Sequence, residues 1–150
     1  SLDDFKVNAL GFLHSVQANL KLLKAGASAP DGGSSSIVGF STVAVQTGMG
    51  FHASIAAAKG AVEGMVRTMS AEFAPDIRVN AIAPSLTDTP LAAHLLSSDA
   101  KREASAERHP LKRVAAADDV AAMAAFLLSP DAAAITGQVM QVDNGMSAIR

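Results

Sequence analysis

The sequence predicts an α/β fold: a parallel sheet covered by helices on both faces, doubly wound. Three observations carry that prediction. There are three short apolar runs bounded by turn residues, there are helical stripes long enough to serve as crossovers, and the two kinds of segment alternate along the chain. With 150 residues, 49% apolar and 17% charged side chains and a formal net charge of −2, the chain has the profile of a single globular domain without an internal linker.

From the N-terminus, Phe5, Phe12, Val16, Leu20 and Leu23 lie seven, four, four and three residues apart, a helical stripe over Asp3 to Ala25 with Asp3 and Asp4 at its positive end. Gly26 to Ser35, dense in Gly, Ser and Pro, reads as a surface loop. Ser36 to Ser41 (SIVGFS) reads as a buried strand. From Phe51 to Ala74 the stripe Ile55, Ala58, Val62, Met65, Val66, Met69, Phe73 predicts a second long helix, and the Ala/Gly cluster in its first turns admits another backbone closely. Pro75 ends it, and Ile77 to Ala83 follows as a strand stopped by Pro84. Pro90 to Ser97 and Ala100 to Arg108 predict short helices. Ala117 to Leu128 predicts a firmer one that Pro130 closes, and Gln138 to Val142 is the last strand. Three parallel strands leave an apolar edge unpaired, so the sequence is expected to be part of a larger sheet.

Composition narrows the function. Twelve Lys+Arg against fourteen Asp+Glu leave no basic surplus for a phosphate backbone, so nucleic acid is not an expected partner. No cysteine is present, which excludes disulfides, zinc-thiolate sites and a cysteine nucleophile, and no histidine pair has metal-ligand spacing. The longest apolar run, Val120 to Leu128, falls far short of a membrane span, and SLDDFK opens on acids, so a cytoplasmic protein is expected. There is also no Tyr and no Trp, which closes every mechanism that uses a phenol.

VNALGF (Val7 to Phe12), SIVGFST (Ser36 to Thr42), AAAKGAVEGMVRTMSAEFAP (Ala56 to Pro75), IRVNAIAPSLTDTPL (Ile77 to Leu91), HPLKR, DDVAAMAAFLLS and ITGQVMQVDNG, in this order and at these separations, resemble the back half of a short-chain dehydrogenase/reductase. The resemblance implies a Rossmann-type sheet of about seven parallel strands, of which this chain supplies the last three. The family's opening strand, TGxxxGxG turn and helix, which form the nucleotide-binding half, are absent from this sequence. Gly48 and Gly50 in QTGMG precede a helix, but no βαβ unit surrounds them.

The same resemblance assigns roles. Carbonyl reduction needs a proton donor, a second donor that polarises the carbonyl and a cation that holds the nicotinamide ribose; the family uses Tyr, Ser and Lys, with an Asn supporting the Lys through water. Lys59 matches the Lys, against the plainer reading of a solvated helix lysine. Asn8 matches the Asn, against that of a satisfied helix kink. Thr42 stands at the Ser position and keeps its hydroxyl. Ile55 stands at the Tyr position and has no proton to give. Lys59, Pro84, Thr89 and Ser41 are implied to line NAD or NADP, with Ser85 replacing a family glycine after Pro84 and Asn144 replacing another near the last strand. His14, His94 and His109 are expected to face solvent. His52, three residues before Ile55, is a possible substitute acid.

Two functions compete on this evidence: an NAD(P)-dependent oxidoreductase acting on a small carbonyl or alcohol, and a non-catalytic member of the same family that binds cofactor or serves assembly. With Ile55 in the tyrosine's place, binding is expected to outlast turnover. The resemblance also implies a homo-oligomer, tetramer or dimer, packed through the two long helices. Thr89 to Arg108 is expected to cover the substrate site as a lid.

Overall fold

In the computed structural model, which describes residues 1–28 and 33–149, the chain begins with α1 (Leu2–Asp4), a π-helical segment (Phe5–Leu10) and α2 (Gly11–Ala27), one continuous helical rod. There follow β1 (Ser35–Phe40), a 3₁₀ turn (Val43–Val45), α3 (Ala53–Phe73), β2 (Ile77–Pro84) and β3 (Thr87–Asp88). A 3₁₀ segment (Pro90–Leu96), α4 (Asp99–Glu107), β4 (Ala115–Ala116), α5 (Ala117–Leu128), a 3₁₀ turn (Pro130–Ala132) and β5 (Val139–Val142) complete the chain.

The main sheet has the order β1-β2-β5 and is parallel throughout, with Phe40 opposite Ile82 and Pro84 opposite Val142. β2 presents two packed faces. Ile77, Val79 and Ala81 meet Val16, Val62, Val66, Met69 and Phe73 of α2 and α3, while Ile82 meets Leu127 of α5 on the opposite face. Helices on both faces make the sheet doubly wound, part of a Rossmann-type fold. The polar residues of the α5 face are satisfied there: Arg78 donates to the carbonyls of Leu127 and Ser129 at 2.9 and 3.1 Å, and Asn80 donates to the Ile135 carbonyl at 2.9 Å.

Four details depart from the sequence reading. The first helix runs to Ala27, two residues into the stretch expected to be loop, whose residues 29–32 lie outside the described residues. Phe5, placed on the apolar stripe, is 41% exposed and Ala9 is buried instead. The π segment is the cause, because its wider turn takes up an extra residue and rotates everything before it relative to Val16. β1, expected to be a buried strand, has only Gly39 buried, since it pairs with β2 alone and its other edge is open. A short parallel pair, β3 with β4, joins the segment after β2 to the start of α5 and had no signal in two residues a side.

Gly39 sets how closely the layers approach. A Cβ there would stand 3.1 Å from the Phe12 ring and 3.2 Å from Val62, so α2 and α3 close onto β1 through the space its missing side chain leaves.

Candidate active site

Of the residues singled out by sequence, Ser41 and Thr42 follow the end of β1 and Lys59 reaches that end from α3, on the carboxyl side of a parallel sheet. Lys59, in the second turn of α3, donates from Nζ at 2.8 Å to the carbonyl of Phe40, the last residue of β1. The side chain is half-buried, and burial pushes its pKa below the usual lysine value. Two residues past Phe40, Thr42 continues in extended conformation and caps the Val43–Val45 turn, its hydroxyl oxygen accepting from the Ala44 N–H at 3.3 Å. The bond uses a lone pair, so the Thr42 O–H is left to donate.

Ser41, implied to sit by the cofactor, is buried, and its hydroxyl donates to Glu63 Oε1 at 2.5 Å; Gln46 Nε2 donates to the same oxygen at 2.7 Å. Glu63 lies one helical turn beyond Lys59, so this buried carboxyl ties the Thr42 strand end to the Lys59 helix. Sequence reasoning missed Glu63, since an acid beside the stripe residue Val62 reads as a solvated flank.

Asn8 lies in the π segment, half-buried, and its Nδ2 donates to the Asp4 carbonyl at 2.9 Å. The segment packs against α3. Asn8 and Lys59 share no hydrogen bond among the described residues. Ile55 is half-buried in the first turn of α3. His52 is exposed, with Nδ1 donating to the Gly50 carbonyl at 2.7 Å and so fastened to its own loop. Pro84 ends β2 opposite Val142, and Thr89 stands half-buried before Pro90 without capping the 3₁₀ segment by its side chain.

His109 corrects the expectation of a solvent-facing side chain. It is fully buried, with Nδ1 2.7 Å from the Ser105 carbonyl oxygen and Nε2 2.9 Å from Ser85 Oγ. The chain turns back toward the sheet after α4, which carries the ring under the turn that follows β2. Its place in HPLKR, a piece of the family resemblance, was the available signal. The segment Thr89 to Arg108 is correspondingly anchored: Leu96 and Ser105 are buried, and Arg102 pairs with Asp88 at 2.8 Å.

Asn144 takes φ 54°, the left-handed conformation expected where it replaces a glycine, and its Nδ2 donates to the Arg113 carbonyl at 3.1 Å. An open groove between α5 and β5, lined by Arg113, Met123, Phe126, Asp143 and Asn144 among others, contains none of the predicted site residues. No helix among the described residues is long and apolar enough to cross a membrane.

Comparison with known proteins adds four findings. A family model described as enoyl-(acyl carrier protein) reductase matches residues 2–147. A tropinone reductase homologue of Arabidopsis thaliana is 42% identical over 116 residues, 77% of this chain and 44% of the relative. An inactive 2-(S)-hydroxypropyl-CoM dehydrogenase 2 of Xanthobacter autotrophicus is 42% identical over 118 residues, 75% of this chain and 51% of the relative. Among solved structures, a gluconate 5-dehydrogenase of Burkholderia cenocepacia in complex with NADP and tartrate superposes with a TM-score of 0.86 at 26% identity, over 97% of this chain and 55% of that one. The chain thus spans about half the length of the curated relatives it matches.

Proposed function

The chain belongs to the short-chain dehydrogenase/reductase family, and from that premise and the site geometry we propose that it is the back half of an NAD(P)-dependent oxidoreductase acting on a small carbonyl or alcohol. The observation that carries the reading is Lys59 held on the Phe40 carbonyl two residues before Thr42, a cation and a free hydroxyl donor at one strand end. These residues fit a dinucleotide. The ammonium keeps two further N–H donors for ribose hydroxyls, Thr42 keeps its O–H for a carbonyl oxygen, and the turn from Pro84 to Thr89 follows the central strand at its carboxyl end. A bound dinucleotide supplies the hydride or accepts it; the side chains orient and polarise. Which dinucleotide is used turns on residues of the nucleotide-binding half, and NADP, bound in the gluconate dehydrogenase relative, is the first to test.

In this reading the open edge of β1 receives the remaining strands of the sheet, over the groove lined by Phe12, Val16, Leu23, Ile37 and Val38. Exposed Leu2, Val7 and Leu22 on the first helices supply an apolar face for a homo-oligomer.

A second reading, a binding scaffold without turnover, is favoured by one residue, Ile55. The experiment that separates the two is titration of the full-length protein with NADPH and NADH, followed by nicotinamide fluorescence, alongside turnover of secondary alcohols and ketones. Binding weakened at least tenfold by Lys59→Ala supports the dinucleotide site. Binding of neither nucleotide overturns both readings, and binding without turnover selects the scaffold.

A further inference from the structure

Ser85 and His109 form a hydrogen-bonded pair at the carboxyl end of β2. The tautomer follows from the partners. The Ser105 carbonyl oxygen can only accept, so His109 Nδ1 carries the proton and Nε2 presents a lone pair. The Ser85 hydroxyl, 2.9 Å from Nε2, is therefore the donor. A hydroxyl aimed at an imidazole whose far nitrogen is held by an acceptor is the arrangement that lets an alcohol exchange protons. His109 is fully buried, whereas Ser85 is only half-buried, so the pair is sealed on the imidazole side and open on the serine side.

The sheet register places that open side at the site. Phe40 pairs with Ile82, and the Ser41 N–H donates to the Ile82 carbonyl at 2.7 Å, so the ladder runs on past Phe40. Thr42 stands two residues beyond Phe40 and Pro84 two beyond Ile82, so this register carried on sets Pro84 level with Thr42, and Ser85 follows next in the chain at the same carboxyl end of the sheet. There Ile55 has replaced the family's proton donor, and a glycine lacking any hydroxyl is what the family carries at Ser85.

We propose that Ser85 and His109 are the proton relay of this site, in place of the missing tyrosine; the proposal rests on the oxidoreductase function above. In alcohol oxidation the substrate O–H bond breaks and its proton passes to Ser85 Oγ, while the Ser85 proton passes to His109 Nε2. The C–H bond at the carbinol carbon breaks with its electron pair, leaving as hydride to the oxidised dinucleotide, and the C–O bond becomes C=O. His109, now an imidazolium, keeps its Nδ1 proton on the Ser105 carbonyl and, once product has left, returns the Nε2 proton to Ser85 Oγ as the Ser85 hydroxyl gives up its own proton to solvent on the open side. Reduction is the reverse. Thr42 donates to the same substrate oxygen throughout. Ser85 touches substrate; His109 acts through it as a positioning and proton-holding residue.

The test uses the full-length protein and two independent readouts. Long-range ¹H–¹⁵N correlation of the imidazoles should show His109 protonated at Nδ1, with an Nε2 resonance that shifts in Ser85→Gly while Nδ1 stays in place. Dehydrogenation of secondary alcohols from 2-propanol to cyclohexanol, with NADP⁺ and NAD⁺, should fall about 100-fold in kcat in Ser85→Gly, at unchanged dinucleotide Kd and little change in alcohol KM. Ser85→Thr should recover most of the rate, and adding Ile55→Tyr to Ser85→Gly should make the relay dispensable. An Nε2-protonated His109, an undiminished kcat in Ser85→Gly, or a wild-type protein that binds dinucleotide and turns over none of these alcohols overturns the relay. Failure to bind dinucleotide at all overturns the proposed function beneath it.

Discussion

Ser41 Oγ donates to Glu63 Oε1 at 2.5 Å inside the protein, a buried bond that joins the end of β1 to α3 one turn beyond Lys59. The Thr42 hydroxyl and the Lys59 ammonium come from different elements, and this bond, with that of Gln46 to the same oxygen, fixes the one relative to the other. Glu63→Ala orphans both donors and should cost about 1–3 kcal/mol for each group left unpaired. It should also weaken dinucleotide binding, although Glu63 touches no ligand. Glu63→Gln retains an acceptor oxygen and should recover most of both losses. Denaturation midpoints and NADPH titrations of the two variants check this, and equal losses in the two would mean that shape, not the acceptor, matters.

Lys59 gives a pH signature. Burial disfavours its ammonium in the folded chain, so at alkaline pH the unfolded chain binds the proton more tightly and the penalty is relieved as pH rises. Stability of the wild type relative to Lys59→Met should therefore climb from the lowered pKa up to 10.5, where the unfolded lysine also loses its charge. Parallel urea denaturation series at several alkaline pH values measure the difference in slope. Parallel curves would show that Lys59 is solvated in the full-length protein.

How much of this was legible varies by element for physical reasons. α3, β2 and α5 fall where their periodicity and prolines put them, because each buries a stripe or a face set by its own sequence. The slip at Phe5 was not legible: a π turn is specified by a single extra residue per turn and by the Asn8 amide that satisfies it. The half-exposure of β1 was not legible either, since an apolar run reads alike in a central and an edge strand. In the site, Lys59 and Thr42 were singled out by the family resemblance, whereas the contacts of Glu63 and His109 are with partners 22 and 24 residues away in sequence, a relation no local pattern encodes.

Asp143 should govern acid stability near the last strand. Burial alone would raise its pKa, but the Ser147 hydroxyl at 2.5 Å, the Ser147 N–H at 2.8 Å and the Gly145 N–H at 2.9 Å outweigh it and hold the carboxyl below 3.8. A depressed folded pKa contributes stability that is present above 3.8 and is lost as pH falls through the lowered value. Asp143→Asn turns an amide N–H₂ toward one set of donors and should cost about 1–3 kcal/mol at neutral pH. The gap should narrow below pH 3.8. Thermal melts across that range decide it, and a gap independent of pH would assign the loss to packing.

Val7, 73% exposed, and Leu22, 71% exposed, are apolar side chains left largely uncovered by the described residues, on the rod implied to pack against a second copy. Val7→Glu with Leu22→Glu should shift the full-length protein from dimer or tetramer to monomer in light scattering, while leaving far-ultraviolet circular dichroism unchanged. A wild type that is already monomeric would remove the oligomer from the account.

Ile55→Tyr tests how much the site lost with its phenol. Residue 55 lies in the first turn of α3, half-buried, four residues before Lys59, so a tyrosine there shares the face on which the ammonium sits and can extend its hydroxyl toward the end of β1. A general acid is worth about 10² to 10⁴ in rate. If no group replaces it, restoring the phenol should recover that whole factor; if the Ser85–His109 pair already moves the proton, the gain should be on the order of tenfold or less, because two donors to one oxygen do not multiply. His52→Ala separates the remaining possibility: with Nδ1 on the Gly50 carbonyl and the ring exposed, its loss should leave kcat within about twofold of wild type. Single-turnover rates for wild type, Ile55→Tyr and His52→Ala at saturating dinucleotide read all three outcomes. A full 10²-fold or larger gain in Ile55→Tyr would mean that the native site has no working proton donor and that Ser85 is held by His109 for structure alone.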